Sequence, residues 1–351
     1  MNLSTILDMA AEACGERIAL VDGARRMSYV ELRAAAQTCA QHLQASGARA
    51  VAMLDVNGAA APVALFAAAY AGLPYVPLNY RLTRTEINEL IERITPAYLI
   101  VGAEYAELPE ARPGLHCVST EQFLALQSPA DAEPLAEQDD PQAVAVQLFT
   151  SGTTGKPKAA ILRHENLMSY IVGTVEFASA DEGDAILVTV PPYHVAGISS
   201  VLSSCYAGRR MVILPNFDPA AWLQAVRDEG VSNAFLVPTM LQRVVDHLEV
   251  LDEKASLPAL RALAYGGGKM PLSTIESAMR LFPGVDFANA YGLTETSSTI
   301  AVLGPEDHRA AASSADPIVR RRLGSVGKPT EAVELQIRDE AGVVLGPEEA
   351  G

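Results

Sequence analysis

Lysine is scarce in this chain: among 351 residues it occurs only at positions 156, 158, 254, 269 and 328. Positive charge as a whole is in short supply, with 26 Lys and Arg against 42 Asp and Glu and a formal net charge of −16. Such a chain repels phosphate backbones and anionic membrane surfaces, which excludes bulk nucleic-acid binding. A small anionic ligand needs only a local set of N–H groups and a lysine or two. Cysteine is also sparse. Cys14, Cys39, Cys117 and Cys205 form no CxxC pair and no disulfide framework, and are expected as free, mostly buried thiols in a reducing cytoplasm. The first residues carry Asp8, Glu12 and Glu16 and no basic stretch, so no signal peptide is expected there. Gly58 to Leu78 lacks charge altogether, but Pro62, Pro74 and Pro77 interrupt it. It reads as a buried helix followed by a buried strand, not as a membrane span.

What is present is a hydrophobic content of 49%, enough for a large core divided into two or three subdomains. Ser28 and Glu31, then Thr83 and Glu86, stand in capping-box register before helical patterns. Between and after these helices lie the short apolar runs "AVAMLDV", "AYLIVG", "AVAVQLF", "AAIL", "DAILVTV", "RRMVIL", "NAFLVP", "LRALAYGGG" and "VDFANAYG", read as strands. Asp218 and Gly230 bracket another helix as N-cap and stop. Strands alternating with helices predict an α/β fold. We expect two α/β subdomains of mostly parallel sheets flanked by helices, at about 1–145 and 146–320. The segment from Glu104 to Pro141 is rich in Pro, Glu, Asp and Ala and reads as a surface connection with one short helix at most. The end, "AVELQIRDEAGVVLGPEEAG", alternates like a β-hairpin around Glu340 to Gly342. It predicts a mixed α+β end in which a small β subdomain starts at about 321–351.

One loop concentrates hydroxyls, glycines and lysines between two apolar runs: Thr150 to Asn166, "TSGTTGKPKAAILRHEN". It is not a Walker loop. The first glycine of that pattern falls on Thr150, and the hydroxyl residue after the lysine falls on Pro157, which has neither hydroxyl nor N–H. A phosphate-hydrolysing NTPase is therefore disfavoured. The loop still suits phosphate. Gly152 and Gly155 let backbone N–H groups turn inward, Thr150, Ser151, Thr153 and Thr154 supply hydroxyls, and Lys156 and Lys158 supply charge. Composition alone leaves a plain surface turn open. Three further stretches matter. In "VPPYHVAGI", His194 sits in apolar company and suits a packed core histidine as well as a site. In "AYGGGKM", Gly266, Gly267 and Gly268 follow a strand and allow a flat ligand close to the backbone, or make a tight turn. In "NAYGLTET", Tyr291 offers a flat face, Thr294 a hydroxyl and Glu295 a hard oxygen ligand for Mg²⁺.

Taken in order, "FTSGTTGKPKAAILRHENL", "PPYHVAGI", "YGGGKM", "ANAYGLTET" and "GSVGKP" resemble the motifs of the adenylate-forming superfamily. That superfamily comprises acyl-CoA synthetases, nonribosomal adenylation domains and luciferases. The resemblance covers essentially the whole chain as a large N-terminal adenylation domain, with the ATP and acyl site in the second subdomain. It implies ATP-dependent activation of a carboxylic acid to an acyl-adenylate, then thioester formation with coenzyme A. ATP, Mg²⁺ and coenzyme A are the implied cofactor and co-substrates, and a small carboxylic acid is the implied partner, with no nucleic acid and no transmembrane segment.

It further implies that Thr150, Ser151, Gly152, Thr153, Thr154, Gly155 and Lys158 close over the β- and γ-phosphates. Thr294 would contact the α-phosphate and Glu295 would hold Mg²⁺. Gly266, Gly267, Gly268 and Tyr291 would frame the adenine and the acyl pocket, and His194 would gate the carboxylate entrance. Amino-acid-activating relatives carry an Asp near that histidine. "YHVAG" has none, so the acid is expected to lack an α-amino group and to be fatty or aryl. Ala159 stands where the family has Gly, and the aspartate, hinge and lysine-bearing small lid domain that the family places further on lie beyond residue 351. A fragment of this kind is expected to bind nucleotide and turn over poorly. Two alternatives stay open: a non-catalytic nucleotide-binding module, and adenylation for a carrier-protein thiol.

Overall fold

The computed structural model describes residues 1–127, 135–136, 138–150, 157–252, 256–331 and 333–350. In chain order the first elements are α1 (Ser4–Cys14), β1 (Ile18–Asp22), β2 (Arg25–Ser28), α2 (Tyr29–Ala45), β3 (Ala50–Leu54) and α3 (Ala60–Ala71). Then come β4 (Tyr75–Pro77), α4 (Arg84–Ile94), β5 (Ala97–Val101), β6 (Leu115–Ser119), α5 (Thr120–Leu124), β7 (Val144–Thr150), β8 (Lys158–Arg163) and α6 (His164–Thr174). The middle holds β9 (Ala185–Val188), α7 (Val195–Ala207), β10 (Arg210–Ile213), α8 (Pro219–Asp228), β11 (Asn233–Leu236) and α9 (Pro238–Leu251). The last are β12 (Ala262–Gly266), α10 (Leu272–Leu281), β13 (Asp286–Leu293), β14 (Ser298–Leu303), α11 (Pro305–Ser313), α12 (Pro317–Arg320) and β15 (Lys328–Pro329).

Among the described residues these strands form two sheets. One has six strands in the order β6-β5-β3-β4-β7-β8, the other nine in the order β15-β14-β13-β12-β11-β9-β10-β1-β2. Interior neighbours are parallel, while β8, β2, β14 and β15 add antiparallel edges. This is the expected α/β architecture. Parallel strands must be covered on both faces. Helices α1, α2, α3 and α7 pack into the core that joins the two sheets. Helices α8, α9 and α10 cover the outer face of the larger sheet, and α4 that of the smaller.

Local signals explain the helices. Ser28 and Thr83 close capping boxes with Glu31 and Glu86, and Asp218 accepts from the Ala221 N–H. Helix α3 is buried on nearly every side, as an all-apolar helix must be. No helix among the described residues is long and apolar enough to cross a membrane. Cys14, Cys39 and Cys205 are buried and Cys117 is exposed, all without a disulfide.

Three expectations change. The Glu104 to Pro141 connection carries a strand as well as a helix: β6 pairs in parallel with β5 along its whole length. Its polar, half-exposed sequence LHCVS suits a sheet edge and masks the signal. Sheet membership does not follow a single cut near residue 145. Strands β1 and β2 join the larger sheet beside β10, while β7 and β8 complete the smaller one. Around Glu340 the turn forms, with Gly342 N–H donating to Asp339 O, but among the described residues a single bridge, Arg338 to Val344, crosses it.

Candidate active site

The glycine-rich stretches meet at the carboxyl ends of the parallel strands, where α/β sheets present their ligand crevices. Strand β12 ends at Gly266, paired with Ala290 of β13. A Cβ on Gly266 would stand 2.1 Å from the Ala290 carbonyl oxygen, so no side chain fits. Gly267 turns the chain with φ +79°, a left-handed conformation that favours glycine. A Cβ at Gly268 would meet nothing closer than Pro238 Cγ at 3.7 Å, so packing does not demand glycine there.

Strand β13 continues through Tyr291 and Gly292 and bulges where it pairs with β14. A Cβ on Gly292 would come to 1.6 Å from Ser298 O, and this close approach sets the path of the following turn. Residues Thr294–Thr296 form a single 3₁₀ turn, after which Ser297 and Ser298 have φ +58° and +101°. Left-handed serines are costly and need local support. Thr296 provides it: its Oγ1 accepts from Leu293 N–H at 2.9 Å and lies 3.0 Å from the carbonyls of Leu293 and Ser298. The turn thereby holds Thr294 half-buried and Glu295 exposed. No described residue pairs with the Glu295 carboxylate, and no cluster of three or more metal-ligating side chains occurs among the described residues. A lone hard oxygen donor suits Mg²⁺, which keeps most of its waters and takes one or two carboxylates together with a ligand's phosphates.

Three cavities adjoin along β13 and β14. One of about 360 Å³ is lined by Gly267, Gly268, Lys269, Asn289 and Tyr291, and is closed by Leu323 and Val326. Tyr291 is 40% exposed, so its ring face is available to a flat ligand. Asn289 Nδ2 donates to Ser325 O at 2.9 Å and ties the strand to that closing segment. Behind the site, Tyr265 O–H faces His308 Nε2 at 2.8 Å while His308 Nδ1 faces Gly304 O at 2.9 Å. A carbonyl can only accept, so Nδ1 carries the proton and Nε2 accepts from the tyrosine. Burial lowers the His308 pKa and keeps that neutral tautomer.

The second cavity, of about 280 Å³, runs under α7 and shares Gly267, Ala290 and Gly292 with the first. Val195, Ala196, Ser199, Ser200 and Ser203 present one face of α7 to it. His194 is the residue just before α7. Its ring lies 4.5 Å from that of Tyr193, which in turn packs edge-on against Tyr80. Crowding by these neighbours, ahead of the charge of Arg81, lowers its pKa although the residue is exposed at the surface. It is a rim residue and not a core histidine. The third cavity, of about 480 Å³, lies between α6 and β14 and is lined by Glu165, Asn166, Glu295 and Thr330.

Of the hydroxyl-rich loop, Ser151, Gly152, Thr153, Thr154, Gly155 and Lys156 lie outside the described residues. Its two ends are in place: Thr150 pairs with Lys158 across the β7–β8 hairpin. Strand β8 packs beside the Thr294–Thr296 turn, which puts the loop's root next to Thr294 and Glu295. The structure thus brings Gly267, Gly268 and Tyr291 to one cavity and Glu295 to the third, with Thr294 on the turn that leads from β13 toward it, the hairpin beside that turn, and His194 at the start of α7. Sequence reasoning overlooked the wall of the second cavity, namely the α7 serines, Tyr170, Asn233 and Arg209. A signal existed in "VAGISSVLSSCYAGRR", where hydroxyls at four-residue spacing interrupt an apolar helix that ends on two arginines.

The sequence model of the AMP-binding enzyme family matches residues 7–351. Indoleacetate--CoA ligase of Aromatoleum aromaticum is 29% identical over 367 residues, covering 100% of this chain and 69% of that protein. Feruloyl-CoA synthase of Amycolatopsis sp is 31% identical over 336 residues, covering 94% of this chain and 64% of that protein. The solved structure of o-succinylbenzoate CoA synthetase from Bacillus subtilis in complex with its acyl-adenylate intermediate superposes with a TM-score of 0.80 at 27% identity. It covers 98% of this chain and 67% of that one. The chain therefore spans about two thirds of the length of these relatives.

Proposed function

The chain belongs to the AMP-binding enzyme family, and from that premise we propose that it binds ATP and a carboxylic acid, supports formation of the acyl-adenylate, and serves a ligase that passes the acyl group to coenzyme A. The observation that carries this reading is the junction of two cavities at Gly267, Ala290 and Gly292. One is flat-walled beside Tyr291 and suits an adenine, the other is mostly apolar beneath α7 and suits an acyl or aryl tail. The relatives named above are CoA ligases by name, which supports coenzyme A as the thiol.

The chemistry must bring two anions together and hold them in line. Backbone at Gly266 and Gly267 lets the nucleotide lie against the strand ends. Thr294 directs a hydroxyl toward the α-phosphate, and Thr150 and Lys158 border the β- and γ-phosphates at the root of the hydroxyl-rich loop. Glu295 would hold Mg²⁺, which supplies charge neutralisation between phosphate oxygens. With its pKa lowered, His194 is neutral at pH 7 and offers one donor and one acceptor at the entrance of the acid. Among the described residues no acidic side chain lines the cavity under α7, so an α-ammonium would be left unpaired there, and an acid without an α-amino group is the better occupant.

A calorimetric titration with a non-hydrolysable acyl-sulfamoyl adenosine, beside MgATP alone, tests the proposal. Saturable binding is expected. A folded sample that binds neither ligand would rule the reading out.

A further inference from the structure

The cavity beneath α7 has a polar inner end. It begins at Gly267, at the carboxyl end of β12, and reaches Ala262 and Asn233, at the amino ends of β12 and β11. Five strand residues separate Gly267 from Ala262, about 16 Å at roughly 3.3 Å per residue. At that inner end stands Arg209. It follows Gly208, which ends α7 in a left-handed conformation. Its backbone is held on both sides: its N–H donates to Ser204 O at 2.8 Å, and its carbonyl accepts from the buried Tyr29 hydroxyl at 2.8 Å.

The side chain lines the cavity and is half-buried. No described residue forms a hydrogen bond with its guanidinium, and its Nε is shut off from solvent with no partner. The one described acid whose charge acts on it, Asp184, lies beyond ion-pair contact and is already engaged by Arg261. Burial lowers the Arg209 pKa, yet a guanidinium still carries its charge at neutral pH. Ser199, on the same wall, also has a buried Oγ without a partner. Buried polar groups are normally satisfied, and a half-buried cation without a counter-charge is costly. Arg209 therefore offers a half-buried guanidinium, hydrogen-bonded to no described residue, to an anionic group of a ligand in this cavity.

We propose that the acid activated here carries a second carboxylate at the end remote from the activated one, and that Arg209 recognises it from the inner end of the cavity. Arg209 is thus a specificity-determining residue. This rests on the acyl-adenylate reading above and narrows its substrate class. A simple fatty or aryl acid would press an apolar end against the guanidinium, leaving it desolvated and unpaired.

The test compares matched probes on this chain by calorimetry: acyl-sulfamoyl adenosines made from straight-chain dicarboxylic acids of six, eight and ten carbons, and the same probes with the free carboxylate methylated. The expected result is at least about tenfold tighter binding of the free carboxylate at one length or more, the scale of a charge-assisted hydrogen bond. Arg209→Gln should collapse that ratio toward one, and Arg209→Lys should keep part of it. Equal affinity for both forms at every length would overturn the inference while leaving the adenylate reading intact. So would a ratio that survives Arg209→Gln. If no probe binds at all, the adenylate reading itself fails. If Arg209→Gln does not fold, the comparison on the unchanged protein and on Arg209→Lys still decides.

Discussion

The guanidinium of Arg93, in the last turn of α4, donates to the Pro157 carbonyl oxygen at 2.8 Å and stacks over the Phe149 ring at 4.8 Å. One side chain therefore holds both ends of the hairpin that carries the hydroxyl-rich loop. Each contact is worth about 0.5–1 kcal/mol at a solvent-exposed site. Arg93→Ala is expected to weaken MgATP binding roughly fivefold and to change the unfolding free energy by less than about 1.5 kcal/mol. Calorimetry and urea unfolding on the same preparation separate the two effects. Unchanged MgATP affinity would mean that the hairpin keeps its geometry without the arginine.

Two glycines of the crevice should respond oppositely to alanine. At Gly292 a Cβ would sit 1.6 Å from Ser298 O, a backbone atom that cannot step aside without breaking the bulge. Gly292→Ala should cost more than about 2 kcal/mol of stability. At Gly268 the nearest atom is Pro238 Cγ at 3.7 Å, so Gly268→Ala should be close to neutral or slightly stabilising. Paired urea denaturation curves give both numbers. Similar losses at the two positions would show that the turn, and not the Gly292 contact, controls the site.

Glu295 is exposed and pairs with no described residue, so its carboxylate contributes little to folding. Glu295→Gln should leave Tm within a degree or two, about 0.5 kcal/mol or less. The same change should reduce the Mg²⁺ dependence of ATP binding and lower acid-dependent adenylation by about 10² or more. Full activity with an unaltered Mg²⁺ requirement would remove this residue from the metal site.

His164 makes the fold sensitive to acid. Its Nδ1 accepts the Leu3 N–H at 3.2 Å, joining α1 to α6, and its ring is buried. Burial first, then the N-terminal ammonium, lower its pKa to about 4. The unfolded chain then binds this proton more readily than the folded one. Stability from this group is complete above about pH 6.5 and is lost as pH falls toward 4, by up to about 3 kcal/mol at 1.36 kcal/mol per unit. Unfolding measured at pH 7 and pH 4.5 should show the fall, and His164→Asn should reduce it, because an amide oxygen can accept the same N–H without titrating. An identical slope in the variant would assign the acid sensitivity elsewhere.

Much of the local structure was legible in the chain because its cause is local. Ser28 with Glu31 and Thr83 with Glu86 start helices through hydrogen bonds that span three residues. Gly266 and Gly267 marked a strand-to-turn transition that only residues without a side chain can make. Tyr291, Thr294 and Glu295 were legible as site candidates because they follow that kind of transition in a strand-to-loop exit.

What tertiary structure alone decided is what depends on distant partners. The assignment of β1 and β2 to the larger sheet and of β7 and β8 to the smaller one rests on pairings with β10 and β4, far away in the chain, and no local pattern encodes it. The exposure of His194 follows from where α7 begins relative to Tyr193 and Tyr80. The setting of Arg209 likewise depends on distant residues: Arg261 engages Asp184, and Tyr29 holds the Arg209 carbonyl. By itself the sequence determined the backbone of the glycine turns and the helix starts, since glycine positions and caps are short-range. The wall of the cavity beneath α7 was decided by packing, since it is assembled from α6, α7 and strands far apart in the chain, and its charge balance exists only once they meet.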